Sequence, residues 1–351
     1  MTTEVRGASL HRLRKAAVRA RYQARHTSLA VGLGLTMRAI YRTLLPGAVA
    51  PPDTKAAREL VRRFRELLRQ DLENVEAGYY PERLLFQFPY WQYLQRMPED
   101  LADLPKLARR KRVNAYRDLP EGVDSDRYPR YYLRNFHWQT DGWLSRRSAR
   151  LYDLQVEMLF GGTADIMRRM GIPAVIRHLQ GVKAPRILDV GCGTGRFLLQ
   201  LAQALPEARF TGLDLSRPYL REAAHVLEDV SDLSLVADNA EAMPFRDGAF
   251  EVVTSVFMFH ELPRAVRRQV GREAFRVLEP GGLFMVTDSA QLSDSPDLEV
   301  PLMNFAEVYH EPFYREYVRD DLATWLAEVG FEVQASTPHS VSKVVVARKP
   351  E

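Results

Sequence analysis

Ile187-Leu188-Asp189-Val190-Gly191-Cys192-Gly193-Thr194-Gly195-Arg196-Phe197 lies just past the middle of the 351-residue chain. The apolar residues around 186–190 predict a buried strand, the three glycines a tight turn, and residues 197–204 a helix with an apolar face. A glycine turn between a strand end and a helix start lets a ligand approach the backbone and points amide N–H groups at it. Gly191, Gly193 and Gly195 follow a G-x-G-x-G spacing, not the G-x-G-x-x-G of a pyrophosphate loop, and Asp189 stands two positions before the first of them. An acid in that place repels phosphate and suits an ammonium. Cys192 reads as a small packing residue.

Downstream the same grammar repeats. Residues 209–213, 233–237, 250–257, 283–288, 331–336 and 342–347 predict six more strands, most of them separated by helical segments, which argues a parallel sheet covered by helices. The second strand runs into Asp214 and Leu215, where such folds accept hydrogen bonds from ribose hydroxyls. The third runs into Asp238, Asn239 and Ala240, where a carboxylate can accept from an exocyclic amine while neighbouring backbone reads a ring. Ser255 lies on the fourth strand and completes the expected cofactor set. An ammonium, a ribose and an adenine without phosphates together describe S-adenosyl-L-methionine.

With these residues in view, the chain resembles the class I S-adenosylmethionine-dependent methyltransferases. The resemblance rests on 187–195 (ILDVGCGTG), the Asp214 strand end, 238–253 (DNAEAMPFRDGAFEVV) and 276–288 (RVLEPGGLFMVTD). In wording it is most similar to the ubiquinone/menaquinone C-methyltransferase-like branch. It implies an α/β fold: a doubly wound, seven-stranded, Rossmann-like sheet with a reversed final hairpin, here 331–336 and 342–347. It does not imply a quinone substrate, because that branch is normally shorter and lacks a comparable N-terminal region.

Methyl transfer is an in-line displacement at a carbon already activated by a sulfonium, so the protein must position, exclude water and deprotonate the acceptor where needed. No metal is expected. The fourth strand ends in Phe259, His260 and Glu261; His260 is the first candidate base, with Glu261 beside it, and the competing reading is that both cap the helix after Pro263. Two further constellations could close the site. Residues 135–143 (NFHWQTDGW) offer His137 as a catalytic candidate and Phe136, Trp138 and Trp143 as substrate contacts, and residues 309–317 (YHEPFYREY) offer His310 with Tyr309 and Tyr314. Tyr132 and Phe259 join the expected substrate set. The competing reading makes both stretches an interface between a cap and the sheet.

The first half has a different character. Leu60, Phe64, Leu67, Leu68 and Leu72 predict an amphipathic helix over 56–75, with Asp53 and Thr54 as caps. Prolines at 81, 89, 98, 105, 120 and 129 predict short helices and turns over 80–130. Leu151, Leu154, Met158 and Ile166 share one helical register within 144–170. Fifteen of the chain's 35 aromatic residues fall between Tyr79 and Tyr152, about twice an even share, so either a ring-packed helical core or an aromatic substrate chamber is being built there. The expected organisation is a basic arm (1–50), a mainly helical, aromatic-rich cap and substrate domain (51–180) and a methyltransferase domain (181–351).

Lys and Arg number 49 against 45 Asp and Glu, a formal +4, but nine basic residues face Glu4 alone within residues 1–50. Such an arm suits an anionic membrane surface or RNA, or is simply a solvated helix face. With 46% hydrophobic positions the chain is not disordered, and one cysteine cannot close an intrachain disulfide or build a thiolate-rich metal site. The uncharged run Thr27–Met37 holds eleven residues, short of the roughly 20 that span a bilayer. No leader is expected, and the expected location is the cytoplasm, with membrane association through the arm. The resulting expectation is a methyltransferase for a small, apolar or aromatic or lipid-like acceptor. The alternatives are an RNA methyltransferase gripping phosphates through the arm, or an inactive cofactor-binding protein whose helical region binds a partner or forms a homodimer. DNA is not an expected partner.

Overall fold

Runs of Val, Ile, Leu and Phe too apolar to face water on either side become the buried middle of a sheet, with more polar strands at its edges. In the computed structural model, which describes residues 2–44 and 54–351, the strands are β1 (Arg186–Val190), β2 (Arg209–Asp214), β3 (Leu233–Ala237), β4 (Phe250–Val256), β5 (Leu278–Ser289), β6 (Glu332–His339) and β7 (Ser342–Arg348). They form one sheet in the order β3-β2-β1-β4-β5-β7-β6. β1 to β5 pair in parallel and β7 runs antiparallel to both β5 and β6, which is the expected doubly wound α/β sheet with its reversed hairpin. The strand order turns at β1 and β4, so a crevice opens outside their carboxyl ends.

The N-terminal helices are α1 (Thr2–Leu44), α2 (Thr54–Glu76), α3 (Tyr90–Val113), α4 (Arg146–Leu159), α5 (Ala164–Arg169) and α6 (Ile172–His178). Those of the sheet region are α7 (Arg196–Ala204), α8 (Arg217–Val226), α9 (Arg264–Val277), α10 (Glu299–Val308), α11 (Tyr314–Tyr317) and α12 (Leu322–Val329). Tyr22 of α1 and Leu67, Leu68 and Leu72 of α2 share one apolar cluster with Ile187, Leu198, Val252 and Met285. A second cluster on the other face joins Phe259, Val270, Phe284 and Trp325. The core therefore runs without a break from the N-terminal helices onto the sheet, and the change of sequence grammar near 180 is not a gap in packing.

Four local expectations change. The prolines do not divide 90–113: α3 is continuous, with Pro98 and Pro105 inside it. Each proline removes the bond to the carbonyl four residues back, at Leu94 and Leu101, and those residues are 58% and 45% exposed, so water can serve the freed oxygens. The helical register over 144–170 breaks at Gly161 and Gly162, both with positive φ, where Gly162 lies against the Leu29 side chain of α1. The strand expected at 283–288 begins earlier, at Leu278, so residues 279–282 are drawn into β5 with a register shift against β4. The basic arm is a helix seated on the cap: Arg14 pairs with Glu82 at 3.5 Å, and Lys15 and Arg19 reach Glu76 at 3.9 and 3.6 Å. Asp53, one of the two expected caps of α2, lies outside the described residues, as do residues 45–50 of the arm.

Candidate functional site

The β1 loop opens a cavity at the carboxyl ends of β1 to β4. Asp189 and Asp214 line it together with Gly191, Gly193, Leu215, Asp238, Asn239 and Ala240, so eight of the ten expected cofactor residues meet in one place. Gly191 and Gly193 have φ of 71° and 55°, and a side chain at Gly193 would project into open space, which leaves that backbone free to meet a ligand. Asp214 accepts from the Gly193 amide at 2.9 Å and from the Ser216 amide at 2.7 Å. Asp189 is buried and takes a 2.7 Å bond from Thr254 Oγ1. Burial pushes its carboxyl up to about 7, and burial pushes Asp214 up to about 6 against the lowering effect of its two amide donors. Buried carboxylates of this kind are stabilised by a ligand ammonium and by hydroxyl donors.

Two residues of the expected set have other tasks. Ser255 does not line the cavity; its hydroxyl donates to the Val190 carbonyl at 2.9 Å and ties β4 to β1. Gly195 starts α7 with φ of 78°, and a side chain there would strike Leu227 and Ala223, so this glycine permits helix packing. Sequence reasoning passed over Arg168, Arg196, Asp153, Tyr131, Tyr152 and Tyr219, which also line the cavity. Arg196 follows the glycine loop directly and could have been found from that position. The others come from distant segments without a motif.

A second cavity, mostly apolar and of about 210 Å³, adjoins the first. Tyr152, Phe257 and Glu261 line both. Phe257 leaves β4 with φ of 56°, a left-handed conformation uncommon for a ring residue, and this turns its side chain into the junction. His137, His260, Ser289, Phe305 and Tyr314 complete the wall around Leu60, Val156, Leu159 and Met167. His260 Nδ1 lies 2.7 Å from Asp288 Oδ1, while Asp288 Oδ2 accepts from the Phe259 amide at 2.7 Å. A carboxylate on Nδ1 fixes the ring and leaves Nε2 toward the cavity. The dyad, not a helix cap, is what holds His260. Asp288 was another residue the sequence did not single out, although it ends the β5 motif.

His137, Glu261 and Glu311 converge beside this cavity. His137 Nε2 contacts Glu311 Oε1 and lies 3.3 Å from Glu261 Oε1. Burial disfavours the charged imidazole, but the two glutamates outweigh it and raise the His137 pKa to about 10. Burial likewise opposes charge on His260, and Asp288 overrides it, to about 9. Burial and the nearby Glu311 raise Glu261.

The remaining expected residues divide. Tyr132 and Trp143 line the cofactor cavity and Tyr314 the apolar one. Phe136 is buried and stacked on Trp143 at 4.1 Å, Trp138 donates from its indole to the Val308 carbonyl at 3.2 Å, and Phe259 belongs to the core. Tyr309 packs on Phe305 at 4.9 Å. These four face neither cavity, so they support the site without lining it. His310 is enclosed by Tyr116 and Trp138, at 5.1 and 4.6 Å, and burial with Arg134 nearby lowers its pKa to about 4. It is a packed neutral ring outside both cavities.

The sheet order, the acid-flanked glycine loop and the strand-end carboxylates are those of the class I S-adenosylmethionine-dependent methyltransferase fold. Residues 187–282 match the family described as methyltransferase domain. The malonyl-[acyl-carrier protein] O-methyltransferase of Geobacter sulfurreducens is 34% identical over 158 residues, covering 43% of this chain and 57% of that protein. The ubiquinone/menaquinone biosynthesis C-methyltransferase UbiE of Methylobacterium nodulans is 34% identical over 159 residues, covering 44% of this chain and 60% of that protein. The chain thus spans less than two thirds of the length of these relatives. Among solved structures, the CurJ carbon methyltransferase superposes with a TM-score of 0.50 at 15% identity, over 76% of this chain and 72% of that one, a likeness of fold.

Proposed function

We propose that this protein transfers the methyl group of S-adenosylmethionine to a small apolar or aromatic acceptor held in the second cavity. The observation that carries this is the shared wall: Tyr152, Phe257 and Glu261 line both the cofactor cavity and the apolar one. The bound cofactor supplies a methyl group already activated by its sulfonium. Asp189 and Asp214 would hold its ammonium and ribose, and the Asp238–Ala240 turn its adenine. The rings at the junction exclude water, which protects the methyl group from solvent. His260, oriented by Asp288, is the group placed to take a proton from an acceptor hydroxyl or carbon acid once it has lost its own, which its raised pKa of about 9 favours in alkaline solution. A cavity of about 210 Å³ exceeds the roughly 150 Å³ that encloses benzene, so a substituted ring or a short lipid-like segment fits.

The setting is also part of the proposal. Among the described residues no helix is long and apolar enough to cross a membrane. The exposed Leu13, Val31 and Leu35 on the basic α1 support reversible docking to an anionic lipid surface from the cytoplasm. Flotation with phosphatidylserine vesicles, compared with neutral ones, tests that docking.

The deciding experiment incubates the purified chain with methyl-labelled S-adenosylmethionine and a cell extract. Label is then partitioned into organic-soluble, small aqueous, RNA and protein fractions. Label in the organic or small-molecule fraction supports the proposal and supplies a product to identify. Label in RNA overturns the acceptor class. Binding of S-adenosylhomocysteine by calorimetry without label in any fraction favours the inactive cofactor-binding reading.

A further inference from the structure

The contact between His137, Glu261 and Glu311 is not explained by methyl transfer. One ligand-type atom from each residue lies within 4.8 Å of the others. The three come from segments far apart in the chain: the 3-10 turn Phe136–Trp138, the turn after β4, and the loop between α10 and α11. His137 is held there by backbone at φ of 55°, followed by Trp138 at φ of 58°. Asn135 braces that turn, donating to the carbonyls of Asp118 and Gln139 at 2.9 Å each.

Glu311 is 2% exposed, and neither of its carboxylate oxygens receives a directed hydrogen bond. Nε2 of His137 likewise makes none, although it touches Glu311 and faces Glu261. A buried carboxylate whose one close polar partner is an imidazole is costly to keep charged. The charge count points the same way. His260, the other imidazole at this wall, lies 3.8 Å from Glu261 and is paired with Asp288. Three carboxylates, those of Glu261, Asp288 and Glu311, therefore face two imidazoles at this wall. A divalent cation bound by neutral His137 and two ionised glutamates makes that group neutral.

We infer that His137, Glu261 and Glu311 form a three-ligand site for a divalent first-row transition-metal ion at the wall of the acceptor cavity. One imidazole nitrogen with two carboxylates is a donor set that such ions accept, and three protein ligands leave coordination positions free. Because His137 and Glu261 line the cavity, those positions are accessible to a small oxygen-bearing molecule within it.

The test is a titration of the full chain, stripped with a chelator, with zinc by calorimetry and with cobalt by visible absorption. The expected result is one equivalent of zinc bound at micromolar or tighter affinity, with cobalt giving d–d bands that zinc abolishes. Glu311→Gln should weaken zinc binding by at least ~10-fold, since even removal of a group that merely supports a ligand costs that much. Retained S-adenosylhomocysteine binding shows that the variant is folded, and if it is not, Glu261→Gln takes its place with the same expectation. His225→Ala removes an exposed imidazole 3.6 Å from Glu228, a surface pair able to bind zinc adventitiously, and should change nothing. Absence of a stoichiometric site in the wild type overturns the inference, as does unchanged zinc affinity in the folded glutamate variant. Neither outcome bears on cofactor binding, so the methyltransferase proposal stands or falls separately.

Discussion

Asp214 serves the cofactor site in two ways. Its oxygens accept from Gly193 and Ser216 amides, which fixes the glycine loop, and the same carboxylate keeps lone pairs free on the cavity side for hydroxyl donors. Asp214→Ala removes both functions, and hydrogen bonds to a charged group contribute about 1.5–3 kcal/mol each. Affinity for S-adenosylhomocysteine should therefore fall roughly 30-fold or more, measured by calorimetry; affinity equal to wild type would remove Asp214 from the site. Ser255 makes the contrasting case, because its hydroxyl is committed to the Val190 carbonyl inside the sheet. Ser255→Ala should leave that affinity within error while lowering unfolding free energy by about 1 kcal/mol. A clear loss of binding would return Ser255 to the cofactor set.

At the scale of elements, the N-terminal helices are joined by a buried charge. Asp71 of α2 accepts from Tyr80 at 2.7 Å and from Arg169 of α5 at 2.6 Å, and it also bonds Tyr22 of α1. Asp71→Asn keeps the shape but leaves the Arg169 guanidinium buried without its counter-charge, a change that typically costs about 3–5 kcal/mol. Urea denaturation should show a loss of that order; a loss below about 1 kcal/mol would mean that these helices are held by apolar packing alone. This node also marks where sequence reading stops. The β1 loop, Asp214 and the strand succession were legible because glycine spacing and apolar period are local signals. The continuity of α3 was not, because a proline reads locally as a stop, and only the folded chain shows that Leu94 and Leu101, whose carbonyls the prolines leave unbonded, are exposed residues. The meeting of His137, Glu261 and Glu311 was not legible either: each residue stood in a suggestive phrase, but their contact depends on how three distant segments pack.

Over the whole molecule, part of the basic N-terminal sequence is engaged by the fold while its side chains stay open to solvent. Besides the pairs with Glu76 and Glu82, Arg21 and Arg25 lie over the Phe86 ring at 4.7 and 5.6 Å. Docking α1 also buries His26, to 4% exposure, against Tyr22. Burial first, then the charges of Arg169 and Arg25, lowers its pKa to about 4. The unfolded chain takes up this proton below about pH 6.5, whereas the folded chain resists it down to about 4, so the unfolded state binds more protons in that interval. The stability that His26 contributes is thus fully present above pH 6.5 and is lost as the pH falls toward 4. At pH 5 the loss is about 2 kcal/mol. His310 and His339 are lowered in the same direction but remain in any His26 variant, so their effect cancels in a comparison. Urea denaturation of the wild type and of His26→Leu at pH 7 and pH 5 isolates the term. The wild type should lose about 2 kcal/mol more than the variant between the two pH values. Equal losses would mean that α1 opens enough at pH 5 for His26 to protonate in water, and that the helix is not held on the cap under those conditions.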